Sequence, residues 1–222
     1  LGAMFNGRKV GSFGSSAIVS FCAPKVITTG EGGMILSDSR DIYERVTLIC
    51  NHGRTETVDY FSSTEQMEYV TLGYNFRMST MTAALGIAQI EKIGKIISMR
   101  RDNASYMSER LSQIEAVTMS IVPDRFFHVY QLYTIRLRDN SKLRDDLMQY
   151  LLRKKIMTKV YFYPVHLTQF YREEFGYLKG YLPLTEKVAS EVLTLPLYPT
   201  LTKEEIDYIA QAIKDFFVKG VE

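Results

Sequence analysis

Two short apolar runs, residues 16–21 (SAIVSF) and 33–37 (GMILS), bracket a segment with one basic residue. That segment, SFCAPKVITTGEGG at 20–33, holds Lys25 between Pro24 and a cluster of Gly30, Gly32 and Gly33. Each run has the length of a buried strand. Glycines tolerate backbone conformations that other residues avoid. The pattern predicts two strands of one sheet joined by a turn that carries a lysine. A surface lysine needs no such setting. An amine that must be placed, kept partly dry and left reactive does.

The 222 residues suffice for one large domain or two small ones. With 46% hydrophobic and 23% charged residues the composition is that of a globular protein with a core. A net charge of +2 argues against a nucleic-acid binder with a basic footprint. No run of about 18 apolar residues predicts a membrane span. Cys22 and Cys50 have neither metal nor disulfide-framework spacing. No metal site is expected, and buried thiols suggest a reducing cytoplasm.

Further along, a polar helix is predicted over 39–49 with Ser39 as N-cap. Residues 51–75, including Asn51, His52, Gly53, Arg54 and a polar stretch through Ser63, read as loop. From Ser79 a helix should present Met81, Ala84, Leu85, Ala88 and Ile93 on one face. A second, over about 98–113, should present Ala104, Met107, Leu111 and Ile114. A domain boundary is expected near 114–123, giving domains 1–114 and 115–222. The latter should hold a strand at 130–137, a helix at 141–154, a strand at 157–163 and a final helix. Thr202 and Glu205 have capping-box spacing at the start of that helix, which would bury Ile206, Ile209, Ile213 and Phe216 or Phe217. Tyr130, Tyr133, Tyr161 and Tyr163 read as core or interface rings.

GRKVGSFG, SFCAPKVITTGEGGM, NHGR at 51–54, GYNFRM at 73–78, AALGIAQIEKI at 83–93, YPVH at 163–166 and LPLTEKVASEVLTLPLYPTLT at 182–202 follow in a fixed order. Together they resemble the DegT/DnrJ/EryC1/StrS family of sugar aminotransferases, over essentially the whole chain. The resemblance implies an α/β fold-type I transferase dependent on pyridoxal 5′-phosphate, here part of the large domain plus the small C-terminal α/β domain. It implies transfer of an amine from an amino acid, often glutamate, to a keto sugar linked to a nucleotide. It also implies a cytoplasmic homodimer with shared active sites. By position, Lys25 would carry the cofactor covalently and move a proton, and Ser20 would contact its phosphate. Asn75 would reach the phosphate of a cofactor held by the other subunit. Arg77 would meet the sugar-nucleotide diphosphate, and His166 would line the substrate entrance. His52 lies in a family motif without a firm role. Lysine at position 25, where some relatives that are dehydratases carry histidine, favours amino transfer.

Each residue also has a plainer reading. Ser20 can cap a turn, Asn75 can hold one, Arg77 can form a surface ion pair, and His52 and His166 can be buried on carbonyl groups. In the family, the aspartate that keeps the pyridine nitrogen protonated, the phosphate loop and the ring-stacking aromatic precede the LGA with which the sequence opens. The expectation is therefore a C-terminal portion of a longer enzyme, with bared sheet edges, self-association, and residues 115–222 folding better than 1–78. The alternative function is a non-catalytic fragment, an assembly or regulatory module of the same fold.

Overall fold

The computed structural model describes residues 1–55, 67–137 and 141–219. Part of the loop expected over 51–75, including Ser63, lies outside the described residues. The chain divides into two compact units: Leu1–Lys95 with Arg125–Phe127, and Ile96–Asp124 with His128–Glu222.

In the first unit, β1 (Met4–Phe5) pairs antiparallel with β2 (Arg8–Lys9). Strands β3 (Ser16–Ser20) and β4 (Gly33–Ser37) form the expected pair, antiparallel, with register running from Ser16↔Ser37 to Ser20↔Gly33. The lysine segment is thus the loop that closes a hairpin. Helix α1 (Arg40–Cys50) begins at Ser39, whose hydroxyl accepts from the Ile42 N–H. Helix α2 (Thr80–Glu91) begins at Ser79, which accepts from the Thr82 N–H. Each cap satisfies an amide left free by the first helical turn.

The expected buried face of α2 is not buried. Met81 is 85% exposed, Leu85 47%, Ile87 61%, and Gly86 alone is buried. The helix is apolar around most of its circumference, so periodicity locates it without choosing a face. Nor does β3 cover its apolar residues, since Ile18 is 84% exposed. The core of this unit is small, with Phe21, Val26 and Ile27 at its centre.

Helix α3 (Ile93–Leu111) starts earlier than its periodicity predicts and crosses from one unit to the next. Ala104, Met107 and Leu111 are fully buried, which is why most of α3 belongs to the second unit rather than ending a domain at 114. That unit contains the antiparallel sheet β5 (Thr118–Met119), β7 (Tyr133–Arg136) and β8 (Val192–Leu195), in the order β5-β7-β8. The short β6 (Phe126–Phe127) pairs with β1 and belongs to the first unit. Helix α4 (Ser141–Arg153) and α7 (Lys203–Lys219) pack with the sheet around one cluster of Tyr133, Ile135, Leu147, Leu151, Leu193 and Ile213 among others.

The predicted strand at 157–163 is reduced to one rung. Lys159 and Thr194 exchange both backbone hydrogen bonds, and among the described residues nothing else of that run joins the ladder. Past the rung the chain reaches Pro164, which has no amide to donate, and turns into a short 3₁₀ helix (Val165–Leu167). Helix α5 (Gln169–Phe175) and α6 (Pro183–Glu191) follow. The capping box forms reciprocally. The Thr202 N–H donates to Glu205 Oε2 at 2.8 Å and the Glu205 N–H to Thr202 Oγ1 at 3.2 Å. Ile206, Ile209, Ile213 and Phe216 of α7 are buried as predicted. Of the four tyrosines, Tyr133 is in the core while Tyr163 is 63% exposed. Among the described residues no helix is long and apolar enough to cross a membrane.

Candidate active site

The Lys25 loop is built from its own backbone. The Phe21 N–H donates to Gly32 O, the Thr29 N–H to Phe21 O, and the Lys25 N–H to Cys22 O, closing a tight turn. The Thr28 hydroxyl donates to Phe21 O and accepts from the Gly30 N–H. Phe21, Val26 and Ile27 anchor the loop from inside. Lys25 precedes two buried residues and is itself half-buried, with no hydrogen bond or ion pair to its amine among the described residues.

Two glycines let neighbouring elements approach. A Cβ on Gly32, at φ +146°, would lie 2.9 Å from Thr29 Oγ1 and 3.0 Å from Met78 Cε. A Cβ on Gly86 of α2 would lie 3.3 Å from Thr29 Cγ2. Gly32 of GEGG and Gly86 of AALGIA therefore allow Met78 and α2 to pack close to the lysine loop.

Ser20 ends β3. Its hydroxyl donates to Cys22 Sγ at 3.3 Å and accepts from the Cys22 N–H at 3.4 Å, so it holds the turn that leads to Lys25. It is exposed and on the same strand end as the loop.

Asn75 and Arg77 sit on a second construction. The carbonyl groups at the end of α1 would be unpaired in an isolated helix. Here the Tyr74 N–H donates to Ile49 O, the Phe76 N–H to Cys50 O, and the His52 N–H to Tyr74 O. Asn51 and Asn75 form an antiparallel bridge. The segments NHGR and GYNFRM are thereby laid side by side. Arg77 Nε donates to Asn75 Oδ1 at 3.0 Å, and its Nη2 lies 3.4 Å from His52 Nε2. Among the described residues no hydrogen bond joins this cluster to Lys25 or Ser20. Met78, next to Arg77, comes close to Gly32, since a Cβ there would lie 3.0 Å from its Cε.

His166 belongs to the second unit. It is 7% exposed in the 3₁₀ helix, with Nε2 3.0 Å from Glu186 Oε1. Its ring stands edge-on to Tyr177. Glu186, in the first turn of α6, also accepts from the Gly180 and Leu182 N–H groups. The hydrogen bond from His166, then that from Gly180, holds the Glu186 carboxyl below the ordinary carboxylate range. Glu186 was not singled out from the sequence. Its position three residues after Pro183, at a helix start rich in free amides, is the signal that could have found it.

The family model for DegT/DnrJ/EryC1/StrS aminotransferases matches residues 1–214. The chain belongs to this family. Among its relatives, GDP-perosamine synthase of Escherichia coli O157:H7 is 32% identical over 97% of this chain and 56% of its own length. The pleiotropic regulatory protein of Geobacillus stearothermophilus is 33% identical over 98% of this chain and 56% of its own. Helicobacter pylori PseC, an aminotransferase involved in the biosynthesis of pseudoaminic acid, superposes with a TM-score of 0.90 at 25% identity. It is matched over 99% of this chain and 57% of its own. The chain thus spans little more than half the length of these family members, and over that span it has the fold-type I α/β architecture of sugar aminotransferases.

Proposed function

We propose that this chain serves a pyridoxal phosphate-dependent aminotransferase acting on keto sugars linked to nucleotides, with an amino acid, glutamate, as donor. The observation that carries the proposal is the Lys25 amine. It is half-buried on a loop fixed at both ends by a strand pair, and no carboxylate among the described residues engages it. Family membership and relatives that act on sugar nucleotides support the same reading.

The donor set fits the cofactor. A primary amine suits its aldehyde, and hydroxyls and amides suit its phosphate. Lys25 would hold it covalently, Ser20 would donate its hydroxyl to the phosphate, and the Asn75 amide of a second subunit would do the same. Pyridoxal phosphate, when bound, supplies an electron sink for charge developing on the donor's α-carbon. Lys25 Nζ would take up the proton from that carbon and later return one, which requires the amine to be neutral once released. Arg77, whose Nη1 has no partner among the described residues, would meet the diphosphate of the sugar nucleotide. His166, held by Glu186 inside its own unit, would line the substrate entrance.

Titration of the full-length protein with pyridoxal phosphate tests the proposal. The expected result is a visible absorption band abolished by Lys25→Ala, together with glutamate-dependent amination of a nucleotide-linked keto sugar. A band that survives Lys25→Ala overturns the lysine assignment. Binding without amination of any such sugar favours a non-catalytic assembly role.

A further inference from the structure

Three side chains of the first unit form a chain of hydrogen bonds: His52, Arg77 and Asn75. A guanidinium carries donors only. Arg77 Nε therefore faces the carbonyl oxygen of the Asn75 amide, and the NH₂ group of that amide points the other way. By the same rule His52 Nε2 accepts from Arg77 Nη2, which places the ring proton on Nδ1. His52 is itself fixed, at φ +62°, where its N–H donates to Tyr74 O.

An asparagine amide left alone presents its oxygen and its NH₂ group with little preference, and only the NH₂ face attracts an anion. We infer that Arg77 is a positioning residue for Asn75, and His52 for Arg77: together they hold the amide with its donors toward an organic phosphate. This rests on the proposed reading of Asn75 as a contact to the cofactor phosphate and adds to it the means by which the amide is aimed. The plane and fork of the guanidinium matter here, because two donors must diverge to two acceptors. A lysine at position 77 keeps the charge and loses the fork.

The test compares affinities of the full-length protein for pyridoxal 5′-phosphate and for pyridoxal, which lacks the phosphate. Arg77→Lys is expected to weaken pyridoxal phosphate about three- to tenfold and to leave pyridoxal unchanged. Asn75→Ala should weaken the phosphate form at least as much. The double variant should bind no more weakly than Asn75→Ala, because Arg77 acts through the amide. If Asn75→Ala weakens binding and Arg77→Lys does not, the phosphate contact stands and the positioning role is overturned. If Asn75→Ala binds like the unaltered protein, the phosphate reading itself fails. Nitrogen-15 NMR of the imidazoles is a second measurement that needs neither cofactor nor variant, and the chain has only three histidines. His52 protonated on Nδ1 is the expected result, and a proton on Nε2 overturns the inference.

Discussion

Gly53 and Gly73 cross backbone against backbone, with no space for a side chain on either. A Cβ on Gly53 would overlap the Thr71 carbonyl, and one on Gly73 would overlap the Gly53 backbone. Gly53 also sits at φ +76°. The crossing is what lays NHGR beside GYNFRM, so the glycines of both motifs hold Asn75 and Arg77 in place without touching a ligand. A left-handed backbone alone costs a residue with a Cβ about 1–2 kcal/mol. Gly53→Ala should exceed that, because backbone atoms cannot swing aside. Gly94, near the start of α3, has open space around its Cβ position. Gly94→Ala should stabilise by up to about 1 kcal/mol through helix propensity. Thermal unfolding of the two variants beside the parent separates these outcomes, and a neutral Gly53→Ala would contradict the crossing.

Burial differs sharply between the units, and local stability should follow it. Every residue of the main apolar cluster lies in the second unit, between Ala104 and Phe216. Helix α1 buries no residue at all, and the strand residues Ile18, Met34 and Ile35 are exposed. Amide hydrogen exchange should therefore be slow in β7, β8 and α7 and markedly faster in β3, β4 and α1. Equal protection in both sets would mean that something covers the hairpin.

Legibility in the sequence tracked how local the determining physics was. Strand β4, the Ser39 cap and the Thr202–Glu205 box depend on neighbours in the chain, and each forms at the predicted residues. The strand at 157–163 failed because a ladder needs a partner along its length, and a run of apolar residues does not specify one. The exposed face of α2 was hidden for the opposite reason, since a helix apolar on most sides carries no directional signal. Within the site, Lys25 was legible from its setting between strands and glycines. The Arg77–Asn75 and His166–Glu186 pairs were not, because residues 2 and 20 positions apart meet through loops whose paths no periodicity encodes.

The α7 capping box offers a stability test confined to one turn. Thr202→Ala removes the acceptor for the Glu205 N–H and should cost about 1 kcal/mol, whereas Thr202→Ser should retain most of the stability. Ile213→Ala, at a fully buried position in the same helix, should cost about 2–5 kcal/mol. Urea unfolding midpoints at constant slope measure both. Equal losses at the two sites would contradict the packing of α7.

Acidification should weaken the second unit through Glu186. Its carboxyl is held below the ordinary value of 4.5, chiefly by the hydrogen bond from His166 and then by that from Gly180. A carboxyl depressed in the folded state contributes stability that is fully present above the unfolded value and is lost as pH falls through the folded one. Stability against urea should therefore drop below about pH 4.5 more steeply in the parent than in Glu186→Gln. Parallel profiles would show that the His166–Glu186 contact carries no pH dependence.

A second window lies higher, at His128. Burial, and then the charge of Arg101, lower its imidazole below the ordinary 6.5. The geometry agrees, because Nδ1 accepts from the Tyr130 N–H at 3.2 Å and protonation would remove that acceptor. Tyr130 stands at φ +46°, with its carbonyl held by Arg100 and the His128 carbonyl by Arg101. The folded state here binds fewer protons than the unfolded chain, so stability is full above about pH 6.5 and declines as pH falls from 6.5 toward the lower folded value. Asparagine can place its side-chain oxygen where it accepts from the amide two residues on, as Nδ1 does, without titrating. His128→Asn should therefore match the parent near pH 7.5 and surpass it between pH 6.5 and 5. If the two stay equally stable across that range, the Tyr130 amide does not depend on a neutral His128.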